Sequence, residues 1–295
     1  MADRGDVYPA LVTPFDDDGD VDHGALADLV RALDDGGVDG MVPCGTTGEF
    51  ASMTPAERRR VVETTASATD GPVIAGAADT SVRGVRERIA AAADAGADAA
   101  LVPLPYYHGA NDPSGYEAFL TRVADGADLP VVLYHIPGPV GRTLPVDLVA
   151  TMADHGSVTG LKDSSGDLDR LLAVAERTPE GFDLYQGYDS LLVPGLAFGA
   201  TGGINALANV IPGALADLAD AVAAGEFDRA MGIHREAVAP VFRLAVEHGF
   251  APTTKVAAAA RGLLPNAAVR PPLVELDGEA RAAIEEATRA AADHA

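Results

Sequence analysis

Short apolar runs alternate with alanine-rich amphipathic stretches along most of the chain, and that alternation constrains the fold most. The runs are Tyr8–Thr13, Gly40–Pro43, Val73–Gly76, Ala99–Val102, Val131–Tyr134, Val158–Lys162, Asp183–Gln186 and Gly202–Ile204. Each is too short to make a useful helix and is bounded by turn-forming residues. Segments with helical spacing, such as Ala25–Asp35 and Pro55–Thr69, lie between them. The sequence Thr54-Pro55-Ala56-Glu57 is a capping box with proline at the first helical position. Eight strand–helix alternations over about 220 residues predict an α/β fold, a (β/α)8 TIM barrel. A doubly wound sheet fits five or six units better. From about Glu226 the pattern becomes purely helical, with helices expected over Phe227–Glu247, Thr253–Gly262 and Gly278–Ala292. The expected division is a catalytic barrel over residues 1–225 and a C-terminal helical extension over 226–295, packed on the barrel.

Composition narrows the function classes. The chain has 295 residues, 48% of them hydrophobic, and a formal net charge of −23. Such charge argues against nucleic acid and anionic membranes as partners. The acid is spread along the chain, as in Asp16-Asp17-Asp18 and Asp34-Asp35, and so belongs to solvated faces. Spread acidity with almost no lysine suggests a halophilic cytoplasmic protein. In molar salt the screening length falls to about 3 Å, so this charge need not repel a small anionic substrate. The single cysteine, Cys44, makes no internal disulfide, and no Cys/His spacing suggests zinc. The N-terminal segment lacks an apolar signal core, and no apolar run approaches the roughly 20 residues needed to span a bilayer.

Of the 21 basic residues only Lys162 and Lys255 are lysines. Lys162 closes the sixth predicted strand, where barrel chemistry is found. An amine can lose its proton and attack a carbonyl, whereas a guanidinium cannot, and burial favours the neutral amine. The competing role is an ion pair with Asp163. Lys255, in Thr253-Thr-Lys-Val-Ala, reads as structural. The other predicted strand ends carry further candidates. Gly45-Thr46-Thr47-Gly48-Glu49 could hold a carboxylate on its hydroxyls and N–H groups, or be a plain turn. Pro105-Tyr106-Tyr107 is a stiff aromatic loop, suited to a site or to an interface. Tyr134 can pass protons at a barrel mouth, or sit satisfied in the core. His135 faces the other way if the strand alternates, and so reads as structural. Gly187 and Gly202-Gly203 permit close backbone approach to a ligand or tight packing. Together these residues suit an imine-forming site for a keto acid.

The set Ala10–Phe15, Gly45–Glu49, Pro105–Tyr107, Tyr134–Pro137, Leu161-Lys162, Gly187–Asp189 and Gly202–Ile204 resembles the dihydrodipicolinate synthase / N-acetylneuraminate lyase family of pyruvate-dependent class I aldolases. The resemblance covers nearly the whole chain. It implies that Lys162 forms the Schiff base and that Tyr134 relays protons. Thr46 and Thr47 would then bind the pyruvyl carboxylate, with Thr46 joining the relay. It further implies that Ile204 lies beside the pyruvyl group and that Tyr107 reaches a neighbouring subunit's site in a homotetramer, a dimer of dimers. No metal or organic cofactor is implied, because the lysine imine is the electron sink. Three departures bear on the substrate. Pro139 stands where dihydrodipicolinate synthases carry an arginine, with Arg142 three residues on. Ser190 and Ala206 depart from sialic acid lyases. The run Lys162-Asp163-Ser164 resembles archaeal 2-keto-3-deoxygluconate aldolases, with Asp189, Ser164 and Asn205 as partners for sugar hydroxyls and Gly187 beside them. The expectation is therefore an aldolase of carbohydrate metabolism that splits 2-keto-3-deoxy sugar acids into pyruvate and an aldehyde. The alternative is a synthase condensing pyruvate with aspartate semialdehyde.

Overall fold

Seven of the apolar runs form strands of one parallel sheet. The structure, a computed structural model, describes residues 5–292. The strands are β1 (Asp6–Pro9), β2 (Ile74–Gly76), β3 (Ala99–Pro103), β4 (Val131–His135), β5 (Val158–Asp163), β6 (Asp183–Gln186) and β7 (Gly202–Asn205). Their order is β1-β7-β6-β5-β4-β3-β2. The sequence expectation of a strand at Gly40–Pro43 is corrected here. That segment makes only two single parallel bridges, Val42 to Ala10 and Met41 to Val73. Met41 and Val42 thereby tie the two edges of the sheet together, so the sheet curls round on itself.

Alternation along each strand sorts the side chains into two layers. Leu101, Val132, Tyr134, Tyr185 and Ile204 join Tyr8, Ala10, Val42 and Ile74 in one cluster inside the curl. Their neighbours Ala100, Val102, Val131, Leu133 and Leu161 point outward and pack under the helices between residues 82 and 175. A parallel sheet covered in this way is apolar on both faces, which explains the unbroken hydrophobic runs.

The helices start as their sequences dictate. Asp22 accepts from the Ala25 N–H at the head of helix His23–Asp35. The capping box at Thr54 forms in both directions at the head of helix Pro55–Ala68. Beyond residue 226 the chain is helical, over Phe227–Ile233, Ala239–His248, Phe250–Ala260 and Gly278–Ala292. A π turn over His234–Val238 interrupts the first of these just before Pro240. Proline has no N–H for the helical ladder and crowds the carbonyl four residues back; the wider turn relieves that clash. Val238, Val241, Val256 and Ile284 from these helices share one core with Val7, Leu192 and Leu215. Among the described residues no helix is long and apolar enough to cross a membrane.

Candidate active site

The inward register of β4 and β5 creates the site. Tyr134 lies directly beside Lys162 across the two strands, and Lys162 beside Tyr185 on β6. Since Leu161 points outward, Lys162 must point in, where it is 4% exposed. Its Nζ sits 4.5 Å from the centre of the Tyr134 ring. Asp163 takes the opposite face and does not pair with Lys162. Its Oδ2 accepts from Arg170 Nε at 2.9 Å, and its Oδ1 accepts from the Ser165 N–H and hydroxyl at 2.8 and 2.5 Å. Among the described residues no carboxylate makes an ion pair with the Lys162 amine.

Lys162 opens into a cavity of about 290 Å³. Thr46, Thr47, Tyr134, Ser164, Gly187, Asp189 and Ile204 all line it, so the structure brings together every candidate but Tyr107 and Asn205. Gly187 is required by close approach. A Cβ there would lie 2.9 Å from Lys162 Cε and 2.0 Å from Ser164 Oγ. Tyr107 is 86% exposed, adopts φ 75°, and stands edge-on to His108, away from the cavity of its own chain. His135 points outward as expected, with Nδ1 accepting from the Leu144 N–H at 3.3 Å. Burial pushes its imidazole down to about 4, against the upward pull of Asp163. Asn205 is fully buried, donates to the Gln186 carbonyl at 3.2 Å, and does not line the cavity.

Two features extend the site beyond the sequence reading. Asp189 is fully buried, with one oxygen accepting from the Leu207 N–H at 2.8 Å and Oδ2 unpartnered. Burial pushes its carboxyl up to about 6, although backbone N–H groups and Lys162 pull it down. The Thr46–Thr47 loop, for its part, is held from behind. Thr13 donates to the Gly48 carbonyl at 2.8 Å. Glu49, in the left-handed region at φ 56°, receives the ammonium of Lys255 and the Arg270 N–H at 3.0 Å. Lys255 also donates to the Ala268 carbonyl at 2.7 Å and lies 4.0 Å from the Phe15 ring centre. Arg270 reaches on to Glu57 at 2.5 Å. Only the scarcity of lysine singled out Lys255 in the sequence, and nothing local linked it to Glu49.

Thr46, Tyr134, Ile136 and Pro139 also line a second, adjoining cavity of about 280 Å³. Pro139 thus reaches the cavity where the resemblance called for arginine, and among the described residues Lys162 is the sole basic one lining the first cavity. Arg142 is exposed, its guanidinium packed beside Gly109. Among the described residues no group of three or more His, Cys, Asp or Glu side chains is gathered as a metal site.

Residues 3–291 match the profile of the dihydrodipicolinate synthetase family. The chain belongs to that family. It is 44% identical over 232 residues to the 4-hydroxy-tetrahydrodipicolinate synthase of Natronomonas pharaonis, an alignment covering 78% of this chain and 79% of the relative. It is 38% identical over 276 residues to the Haloarcula marismortui protein of the same name, covering 92% and 89%. Among solved structures, DapA-2 of Bacillus anthracis, a dihydrodipicolinate synthase, superposes with a TM-score of 0.92 at 30% identity, covering 98% and 99%. Like the family, the chain is a carbon–carbon lyase of the class I aldolase type.

These relatives overturn the sugar-acid reading of the sequence and its assignment to carbohydrate metabolism. They carry the name of the alternative, the synthase. The structure supplies a physical reason for the error. In the run Lys162-Asp163-Ser164, Asp163 faces the helix layer and is held by Arg170 and Ser165. The Asn205 amide nitrogen likewise donates to a backbone carbonyl, outside the cavity lining. Of the three residues expected at sugar hydroxyls, Asn205 is internal to the fold, whereas Ser164 and Asp189 line the cavity.

Proposed function

We propose that this chain is a 4-hydroxy-tetrahydrodipicolinate synthase, joining pyruvate to aspartate semialdehyde at Lys162. The observation that carries this reading is the inward-facing, unpaired Lys162 amine beside Tyr134 in a cavity lined by Thr46 and Thr47, in a chain with these relatives. The amine adds to the pyruvate ketone and water leaves, forming an imine. The imine draws electrons from the adjacent methyl carbon, which loses a proton and becomes an enamine carbon. That carbon bonds to the aldehyde carbon, and Tyr134 delivers the proton to the new alkoxide. The acceptor's own amine then attacks the imine carbon and displaces Lys162, giving a ring. Thr47 and Thr46 hold the pyruvyl carboxylate, and the Ile204 backbone lies beside it.

The same reading extends to the finer architecture. The curled sheet serves as a (β/α)8 barrel whose second strand is the bridging pair Met41-Val42. Residues 1–225 form its catalytic part and residues 226–295 an extension sharing its core. The exposed Tyr107 completes the site of a neighbouring copy in a homotetramer, and the spread acidity suits work in high salt in the cytoplasm. The test is incubation with pyruvate and aspartate semialdehyde in molar salt, followed by product analysis. A cyclised product with consumption of both substrates is expected. Formation of a pyruvate imine without any such product would overturn the choice of acceptor and leave the imine chemistry standing.

A further inference from the structure

The Lys162 cavity has a buried floor and an open rim, where exposed Thr46 stands with the apolar residues Pro139 and Phe250. Its lining residues Lys162, Thr47, Asp189 and Ile204 are buried, whereas Gly138 and Pro139 are exposed and Pro137, Tyr188 and Phe250 half-buried. Among the described residues Phe250 is the single lining residue from beyond residue 225. It opens helix Phe250–Ala260, immediately after helix Ala239–His248 ends. Gly249 between them adopts φ 94° and ψ 142°, a conformation that a Cβ disfavours. That sharp break turns Phe250 back onto the cavity. Phe250 is then braced: its ring stands edge-on to Phe242 at 5.8 Å, and Phe242 edge-on to Tyr188 at 4.9 Å. Phe242 itself is buried. A cavity of about 290 Å³ lies just below the range for small-molecule sites, roughly 300–1,000 Å³. An acceptor sharing that volume with the pyruvyl group has the Phe250 ring among the walls that bound it.

We propose that Phe250 is a specificity-determining residue that sets the length of the acceptor aldehyde, restricting it to short chains. The inference rests on the reading of Lys162 as the imine-forming amine with an aldehyde as second substrate. The bond formed is the one already described, from enamine carbon to aldehyde carbon, with one proton delivered to the aldehyde oxygen. Rejection by a rigid apolar wall is worth about 10-fold or more for each methylene it excludes.

The experiment measures pyruvate addition to a straight-chain series, acetaldehyde to hexanal, with wild type, Phe250→Leu and Phe250→Ala, alongside borohydride trapping of the pyruvate imine. The expected result is an unchanged trapped adduct in all three proteins. The kcat/KM for the longest aldehyde relative to the shortest should rise by about 10-fold or more in Phe250→Ala and by less in Phe250→Leu. Phe250→Leu keeps an apolar side chain and carries the test if Phe250→Ala fails to fold. An identical length profile in wild type and variants overturns the proposal. Failure of wild type with aspartate semialdehyde alone removes the choice of acceptor, and the length profile is still read from the plain aldehydes. No addition product with any aldehyde overturns both.

Discussion

The two lysines sit in opposite surroundings although both are buried. Lys255 is held by Glu49, the Ala268 carbonyl and the face of Phe15. Lys162 has the Tyr134 ring for a neighbour, an unpaired amine and open volume ahead of it. Burial pushes Lys255 down to about 8, against the pull of Glu49, so its charge survives at neutral pH and is used for cohesion. The contrast teaches how one residue type serves two ends. A buried ammonium surrounded by acceptors anchors a loop, whereas Lys162 faces open volume with no carboxylate paired to it among the described residues.

The comparison is broken most directly at Lys162. Replacement by alanine should cut turnover by at least about 10³-fold and abolish the borohydride-trapped pyruvate adduct. Because no ion pair is lost, the unfolding midpoint in urea should move little; a large drop would mean that Lys162 also holds the fold. Lys255→Ala should behave in reverse. It strands the Glu49 carboxylate in the interior, which costs about 3–5 kcal/mol. Folded protein should still yield the pyruvate adduct, and pairing Lys255→Met with Glu49→Gln should recover much of the loss. A cost below about 1 kcal/mol by urea titration would refute the anchoring role.

Asp189 sharpens the contrast from the cavity side. Its folded carboxyl keeps its proton to about pH 6, against near 4 in an unfolded chain. The stability this contributes is complete below pH 4 and disappears as the pH rises through about 6. Asp189→Asn should therefore lose less stability between pH 4 and 7 than wild type, by up to about 3 kcal/mol. Parallel stability curves for the two proteins over that range would rule out the buried charge. The smallest effect is expected at the rim of the Lys255 cluster. Thr54→Ala removes one half of the capping box beside Glu57 and should cost about 1 kcal/mol by thermal unfolding, with the pyruvate adduct unaffected.

How much of this was legible in the sequence follows from distance along the chain. Strand period alone set His135 on the face opposite Tyr134, and the register then put Lys162 beside Tyr134. The Thr54 cap could be read because its partners lie within one turn. The pair Lys255–Glu49 could not, since 206 residues separate its members. Phe250 was equally hidden. An aromatic opening a C-terminal helix carries no mark of the cavity it faces until the Gly249 break is in place. The segment Gly40–Pro43 read as a strand because its residues are apolar, yet the curl leaves it only two bridging contacts. The run Lys162-Asp163-Ser164 misled for the opposite reason. Adjacent residues on a strand face opposite layers, so neighbours in sequence need not share a site.

From the order of its amino acids alone, this chain was committed to parallel strands alternating with helices and to an amine chemistry that arginine could not perform. Hydrophobic period and functional-group reactivity are local properties, and they survive without coordinates. Folding decided the rest: what Lys255 is tied to, and which carboxylate has an oxygen buried without a partner. It also put an aromatic ring from the C-terminal helices at the cavity mouth. Those outcomes depend on packing between segments far apart in the chain, and desolvation acts on a side chain only once its neighbours have closed around it.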